Sequence, residues 1–347
     1  LDRKADHKKL KNIIYIWMIK NSKYKRKIWE TSTLSARIIS WILNTDIILN
    51  NSTFEFKKNF LDCIISQTNH LKKNIKFEKD LTKKIEILTA IILTGLVFKE
   101  YEENYNLGIK EIENLIKNFF DINGFPLSRN PDDLIFFTRY FIFCKEVIKD
   151  SQKYVPEFLE DIIEKNLNCI NFIKTPNDCL PLFNGANEAA SLRISQIAGY
   201  LENSKSYNKK NNLGGLFRIK HKNHFVIIDI DKPPQKKFSR SYQSGPLSFE
   251  YFLDGTKIIT NSGFGSHISK KAELLSRLTA CQSTLTINET SITKFEKNDM
   301  INKVFGNSIQ NSFKSFNASF NNEGDFIGCS VSNNGYEKKF GCTHKRE

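Results

Sequence analysis

Residues 216–228 read LFRIKHKNHFVII and decide the fold of the second half of the chain. Apolar and polar side chains alternate over Leu216–Lys220, and an apolar run follows over His224–Ile228, so the segment predicts two strands joined by a polar turn. Asp254-Gly255 is a hairpin signal, and Thr343–Glu347 resembles the entry to a strand. Further strands are predicted at Leu247–Phe252, Lys257–Thr260, Ser283–Ile287, Ser312–Phe320 and Phe326–Val331. Repeated short strands of this kind predict an antiparallel β-sandwich.

The first half of the chain is predicted to be helical, because residues that break helices are rare in it. Residues 1–175 contain only three of the 16 glycines and three of the eight prolines. Asn130-Pro131 is a helix start, with Asn as the N-cap and Pro at the first helical position, and another helix is expected from Pro156 to about Ile173. Ser32 and Thr33 are candidate caps of an earlier helix. Apolar residues at helical spacing form three stripes: Leu34, Ile38, Trp41 and Ile42; Phe56, Phe60, Ile64 and Leu71; and the run Leu81–Val97.

The length of 347 residues exceeds one ordinary domain. We expect an α-helical domain at residues 1–180, a linker at 181–212 and an antiparallel β-sandwich at 213–347, with the chain truncated at both ends. No run of about 18 uncharged apolar residues occurs, so no transmembrane segment is expected. No signal peptide is recognisable in this fragment, and the sequence does not predict the oligomeric state.

The charge balance favours a polyanionic partner. Lys and Arg number 52 against 38 Asp and Glu, a net charge of +14, which attracts nucleic acid, anionic lipid or acidic glycan. The abundance of Lys, Asn and Ile is also typical of an AT-rich genome, which is the alternative reading of this charge. No RNP motif or helix-turn-helix is present, so nucleic acid is not the expected partner. Nucleotide-binding, zinc-protease and nucleophile-elbow motifs are likewise missing.

Short motifs in fixed order carry a family resemblance. Each is unremarkable alone, but together they run from about residue 120 to the end of the chain: Asn123–Pro131, Leu182–Gly185, Arg240–Glu250, Asn261–Gly263, Cys281–Thr286, and Gly335-Tyr336 with His344–Arg346. In this order and spacing they resemble the motifs of the heparinase II/III family.

The resemblance implies an (α/α) toroid followed by an antiparallel β-sandwich, with the site between the two. It implies a polysaccharide lyase that cleaves 4-linked uronic acid polymers, such as heparin-like glycosaminoglycans or alginate, by β-elimination. The implied partner is an acidic polysaccharide, no cofactor is expected, and the periplasm or cell envelope is the favoured compartment. The alternative is a catalytically degenerate relative that binds acidic glycan or is associated with the envelope.

The resemblance also implies site residues. The candidate catalytic residues are Tyr242, Asn184, Tyr336 and His344, and the candidate substrate-binding residues are Arg129, Asn130 and Arg346. Each has a structural interpretation as well. Asn130 suits a helix N-cap and Asn184 a turn, whereas Tyr242 and Tyr336 suit interior or hairpin aromatics. His344 and Arg346 lie on one face of a strand at a period of two.

Several members of the family bind a structural zinc ion, and here the chain departs from the pattern. The positions that the resemblance gives to two histidines and an aspartate are Gln243, Gln282 and Asn261. Neutral amides are poor zinc ligands, so no metal is expected. We expect the three amides to form an interlocking hydrogen-bonded network instead. The family's helical-domain histidine is also replaced, by Pro126, and the other histidine before the sandwich strand by Ser241.

Overall fold

The computed structural model describes residues 3–204, 211–298, 300, 302, 306–323 and 326–347. These residues form the following α-helices: α1 Arg3–Asn21, α2 Thr31–Leu43, α3 Thr45–Leu49, α4 Phe54–Asn74, α5 Leu81–Val97, α6 Glu102–Phe119, α7 Pro131–Asp150, α8 Glu157–Ile173, α9 Glu188–Ser191, α10 Ala198–Asn203, α11 Lys270–Leu275 and α12 Glu337–Phe340. The chain divides into two compact units. Unit 1 comprises residues 1–116 and 140–160, and unit 2 comprises residues 117–139 and 161–347.

The core of unit 1 is built from the predicted apolar stripes. Leu34 and Ile38 on α2, Phe60 and Ile64 on α4, and Leu88 on α5 have no solvent-exposed surface. Burying such side chains contributes about 1.5–3 kcal/mol each, which holds the three helices together. Helix α5 has the predicted bounds.

The start of helix α2 corrects an expectation. Ser32 and Thr33 lie inside the helix, and Glu30 is its N-cap. The backbone of Glu30 is extended, and its carboxylate accepts a hydrogen bond of 3.0 Å from the Thr33 N–H. An acidic cap is favourable here because the first turn of a helix carries partial positive charge.

Unit 2 contains two antiparallel sheets. The first has the order β1-β2-β3-β4-β5 and the second β6-β7-β8. The strands are β1 Asn212–Leu213, β2 Leu216–His221, β3 His224–Asp229, β4 Phe249–Leu253, β5 Thr256–Ile259, β6 Ser315–Glu323, β7 Phe326–Asn333 and β8 His344–Arg346. Between β4 and β5, Asp254 and Gly255 have φ of 50° and 77°, the two positive values that a type I′ hairpin turn requires.

Apolar side chains from both sheets form the core of unit 2. Phe217 and Ile228 from the first sheet pack in one cluster with Val331 from the second. The rings of Phe217 and Phe320 stack at 4.8 Å. The two sheets therefore pack face to face, and the predicted fold class, helices followed by an antiparallel β-sandwich, is confirmed.

One predicted strand is absent. Residues 283–287 form bends and an isolated bridge between Ile287 and Thr290 instead. The Ser283 hydroxyl bonds to both the N–H and the C=O of Phe249, at 2.8 and 2.5 Å. The Ser283 side chain thus makes the hydrogen bonds to the first residue of β4 that the backbone of a neighbouring strand would have made.

Membrane-spanning helices are not found in the part of the chain that the structure describes, since no helix there is both long and apolar enough.

Candidate functional site

Arg129 and Asp229 form a buried ion pair in unit 2. Arg129 lies in the turn before α7 with φ of 58°, and Asp229 ends β3. One guanidinium nitrogen lies 2.5 Å from Asp229 Oδ1, and the side chains are only 8% and 2% exposed. The guanidinium also donates to the carbonyl oxygens of Gly214, Gly215 and Lys232, at 3.3, 2.9 and 2.8 Å. Protein atoms therefore engage each guanidinium nitrogen.

Asn184 lies on the other side of Asp229. Its Nδ2 donates to Asp229 Oδ2 at 3.3 Å, and its φ of 51° places it in a tight turn. Its carbonyl accepts from the Ser241 hydroxyl at 3.2 Å, and that hydroxyl accepts from Asn130 Nδ2 at 3.3 Å. Asn130 also caps helix α7, because its Oδ1 accepts from the Asp132 N–H at 2.9 Å. The structural interpretation of Asn130 is therefore confirmed.

Tyr242 is enclosed in the same region. Its side chain has no exposed surface, and its hydroxyl has no hydrogen-bond partner among the described residues. Burial raises the pKa of Tyr242, Asp229 raises it further, and Arg129 opposes both. The phenol is consequently protonated at neutral pH. A buried hydroxyl without a partner costs about 1–3 kcal/mol, so its retention requires an explanation.

Asp229 was missed by sequence reasoning, although it is the acid that Arg129 and Asn184 share. Burial raises the pKa of the Asp229 carboxyl, and Arg129 and Asn184 oppose that effect. The signal in the sequence is an aspartate that ends the apolar run of β3. A charged residue in that position needs a buried partner, but the run alone does not say which one.

The three amides at the implied zinc positions bond mainly to the backbone. Gln243 Nε2 and Gln282 Nε2 both donate to the carbonyl oxygen of Ser276, at 3.0 and 2.8 Å. Asn261 Oδ1 accepts from the Ser283 N–H at 2.9 Å. No bond joins one of these amides to another among the described residues, so the expected interlocking network is wrong in its connections: two amides share an acceptor and the third lies apart.

The amides also test whether a metal fits. Zinc needs lone pairs from imidazole, thiolate or carboxylate, whereas the Nε2 groups of Gln243 and Gln282 point their hydrogens at a carbonyl. Gln243 Oε1 is engaged by the Gly185 N–H at 3.1 Å. Within the described ranges, no group of three His, Cys, Asp or Glu side chains could hold an ion. The residues present do not fit the zinc site that the resemblance implies.

An open hollow of about 680 Å³ lies at another part of unit 2. It is lined by residues 282–285 and by the end of the chain, 344–347, and so contains His344 and Arg346. The guanidinium of Arg346 lies 4.6 Å from the centre of the Phe249 ring. Lys345 is 58% exposed and pairs with Glu347. The hollow thus presents two cations and a histidine, one acid, and the polar groups of Gln282 and its neighbours.

His344 has a defined tautomer in this hollow. Its Nδ1 lies 3.2 Å from Asn333 Nδ2, and Asn333 Oδ1 is occupied by the Gly335 N–H at 3.0 Å. The amide therefore donates to Nδ1, and the ring proton resides on Nε2. Burial lowers the pKa of His344, as does Arg346, so the imidazole is neutral at neutral pH and Nε2 is a hydrogen-bond donor.

Tyr336 belongs to neither group. It is 1% exposed and packs with Ile292 and Phe313. Its hydroxyl lies 3.1 Å from the carbonyl oxygen of Leu285 and 3.0 Å from that of Thr290. Tyr336 therefore connects the 285–290 loop to the start of α12.

Solved structures resemble this chain over almost its whole length. A mutant of the heparan sulfate lyase HepC from Pedobacter heparinus matches 97% of the chain with a TM-score of 0.71 and 16% identity, over 55% of its own length. The HepC structure itself matches 92% of the chain, over 56% of its own, with a TM-score of 0.62 and 16% identity. A crystal structure of heparinase III matches 94% of the chain, over 57% of its own, with a TM-score of 0.68 and 15% identity. A comparison with curated proteins found no significant match.

The chain therefore has the fold of the heparan sulfate lyases, and it spans about half the length of these structures. Residues 205–347 match the family model described as Heparinase II/III-like, C-terminal. The resemblance to the heparinase II/III family that the motifs predicted is therefore confirmed for residues 205–347.

Proposed function

We propose that this chain acts on acidic, uronic-acid-containing polysaccharide by β-elimination. The fold and the C-terminal domain are those of polysaccharide lyases, and the net charge of +14 suits a polyanion. The observation that carries the catalytic part is Tyr242, a phenol held without a partner in the field of Arg129 and Asp229.

The chemistry has three requirements. A cation or hydrogen-bond donor must neutralise the uronate carboxylate, so that the C5 proton becomes acidic. A base must remove that proton, and an acid must protonate the departing glycosidic oxygen. The electron pair of the C5–H bond forms the new double bond as the C4–O bond breaks.

Tyr242 suits the role of the acid. A departing alkoxide is strongly basic, so a phenol that burial keeps protonated can give it a proton. The same raised pKa makes Tyr242 a poor base, so in this proposal the C5 proton passes to a water molecule while Tyr242 gives its proton to the departing oxygen. Asn184 and Arg129 hold Asp229 and thereby fix the surroundings of the phenol, with Asn130 bracing the turn through Ser241.

His344 and Arg346 suit the binding of a carboxylate on another sugar unit of the polymer, because their hollow does not include Tyr242. The Nε2–H of His344 is a donor, and Arg346 and Lys345 supply positive charge in an open hollow. Gln243 and Gln282 connect this hollow with the Asn184 turn, because both bond to the Ser276 carbonyl and Gln243 also accepts from Gly185.

The test is the unsaturated uronate that a lyase generates, which absorbs in the ultraviolet. The chain is mixed with heparan sulfate, alginate and related polymers, and absorbance is followed for the unmodified protein, Tyr242→Phe and Tyr154→Phe. Tyr154 is 82% exposed, which makes it a matched control. Product from the unmodified protein and the control, but not from Tyr242→Phe, supports the proposal; equal product from all three removes Tyr242 from the mechanism.

A second function, glycan binding without cleavage, rests on a separate observation. Solvent does not reach Tyr242, and His344 presents a donor where a base is required. If no polymer yields the ultraviolet product but acidic glycan binds more tightly than DNA of equal charge, this second function holds. Equal binding of both, lost together as salt rises, would instead leave only non-specific charge attraction.

A further inference from the structure

Unit 1 has a hollow of its own, of about 560 Å³. Its walls come from the segment that follows α1, from one face of α4, and from Tyr101. All of its lining residues lie within unit 1, so the hollow shares none of them with the sites of unit 2.

One wall of the hollow is aromatic. Tyr24 is 63% exposed, and its ring centre lies 5.5 Å from that of His70 at an interplanar angle of 33°. Trp29 meets His70 edge-on at 5.3 Å and is itself held by a hydrogen bond of 3.1 Å from Nε1 to the Asn21 carbonyl. Burial and Lys73 lower the pKa of His70, so its ring is neutral. The ring of Tyr24 is thus exposed to solvent and packs against His70, which Trp29 supports from its other contact.

Helix α4 also contributes a regular row of polar residues to the hollow. Asp62, Ser66, Asn69 and Lys73 line the hollow from α4 at spacings of four, three and four residues, and all four are exposed. This spacing places them on one helix face. A row of donors and acceptors in the same hollow as an aromatic ring is suited to a sugar, whose hydroxyl groups need hydrogen bonds and whose C–H groups pack on a ring face.

The charge around the hollow favours an acidic sugar. Lys23, Lys25, Arg26 and Lys27 are exposed in the segment that carries Tyr24, and Lys73 adds a fifth cation from α4. The Lys25 ammonium donates to the Lys20 carbonyl at 2.7 Å and to Asn21 Oδ1 at 3.3 Å. Lys73 and Asp62 are the cation and the acid of the lining, and the four cations on either side of Tyr24 lie in the adjoining segment.

We propose that this hollow binds one or two units of an acidic oligosaccharide, with a sugar ring against Tyr24 and its anionic group near Lys73. The choice of ligand class rests on the function proposed above. The binding site itself does not, because its rings, polar row and charges lie in unit 1 and involve none of the residues given catalytic or carboxylate-binding roles.

Residue-resolved footprinting tests the proposal on the full chain. Oxidation of tyrosine side chains by hydroxyl radicals is measured by mass spectrometry with and without a heparin-derived hexasaccharide, with Tyr154 as the internal control. The expected result is slower oxidation of Tyr24 at saturating hexasaccharide and an unchanged rate at Tyr154. An unchanged Tyr24 rate at saturation overturns the proposal.

Two exposed-residue variants keep the test independent of folding. Tyr24→Ala and Lys73→Gln are each expected to raise the dissociation constant for the hexasaccharide about tenfold, whereas Tyr154→Ala and Lys79→Gln leave it unchanged. Neutral cellohexaose should not protect Tyr24; equal protection by it would overturn the acidic class.

Failure here is distinguishable from failure of the lyase proposal. Ultraviolet product without any effect of Tyr24→Ala on binding or on KM removes this site and leaves the lyase. Protection of Tyr24 without ultraviolet product removes the lyase and leaves this site.

Discussion

Replacing Arg129 by alanine should destabilise unit 2 strongly. The variant removes the partner of a carboxylate that is 2% exposed. Among the described residues, Asp229 then keeps the Asn184 amide and the Asp231 N–H as donors, each at 3.3 Å. The carbonyl oxygens of Gly214 and Lys232 also lose their donor. Removing one member of a buried pair in this way costs about 3–5 kcal/mol.

The effect should depend on pH, because Asp229 is left to titrate. Without Arg129, burial holds the folded-state pKa of Asp229 above the value of about 3.9 expected in the unfolded chain. A carboxyl whose folded pKa is raised stabilises the fold when protonated, and that contribution is lost as the pH rises through the folded pKa. The deficit of Arg129→Ala should therefore shrink as the pH is lowered from neutrality toward the unfolded value.

Urea unfolding followed by far-ultraviolet circular dichroism measures the free energy of unfolding. Tryptophan fluorescence is the wrong probe, because Trp17, Trp29 and Trp41 all lie in unit 1. Lys222→Ala is the matched control: Lys222 is an exposed long cation in unit 2 that, like Arg129, has a positive φ, of 50°. The free energy of unfolding of Lys222→Ala should differ from that of the unmodified protein by no more than about 0.5 kcal/mol.

A double variant separates the effect of the stranded Asp229 charge from that of the lost Arg129 side chain. Adding Asp229→Asn to Arg129→Ala removes the stranded charge, so part of the stability should return and the pH dependence should disappear. A loss below about 1 kcal/mol for Arg129→Ala, or the same pH profile in the single and double variants, would refute the buried pair.

Three further outcomes are expected. Tyr242→Phe removes a buried hydroxyl without a partner among the described residues, so the free energy of unfolding in urea should rise, by up to about 1–3 kcal/mol; a loss of stability would reveal a partner that the structure does not show. Gly185 has φ of 116°, and in Gly185→Ala the new Cβ would lie 2.6 Å from Asn130 Nδ2 and from the Ser241 side chain. This variant should lower the melting temperature further than Gly255→Ala, because Gly255 has φ of 77° but open space around it. Equal decreases in melting temperature would mean that backbone strain alone matters. Dialysis against a chelator should leave the melting temperature unchanged, and elemental analysis that finds a stoichiometric metal would contradict the amide interpretation.

Local signals in the sequence predicted much of the fold. The helix start at Asn130-Pro131 and the bounds of Leu81–Val97 depend on capping and on apolar spacing within one element, and the structure has both. The Asp254-Gly255 turn is fixed by two residues that tolerate positive φ. These features depend only on residues that are neighbours in the sequence. The predicted domain boundaries, with a linker at 181–212, stay a prediction.

The candidate site depended on contacts that no local pattern contains. Arg129 and Asp229 are 100 residues apart, and only the packed sheet brings them together. The sequence likewise predicted a strand at 283–287, because alternation was visible there and the competing bonds of Ser283 to Phe249 were not. The motifs did find Asn184 and Tyr242, which lie around Asp229, but not the acid itself.

The amides in unit 2 have a physical consequence beyond the loss of a metal. Gln243 and Gln282 bridge parts of the sandwich through the Ser276 carbonyl, with no group that titrates near neutral pH and no ligand to lose. A zinc site at the same positions would couple stability to metal supply and to the protonation of its ligands. The neutral bonds remove both couplings, whereas Asn261 Nδ2 is left without a partner among the described residues. This part of the fold thus exchanges a dependence on metal for one unsatisfied amide, a cost of about 1–3 kcal/mol.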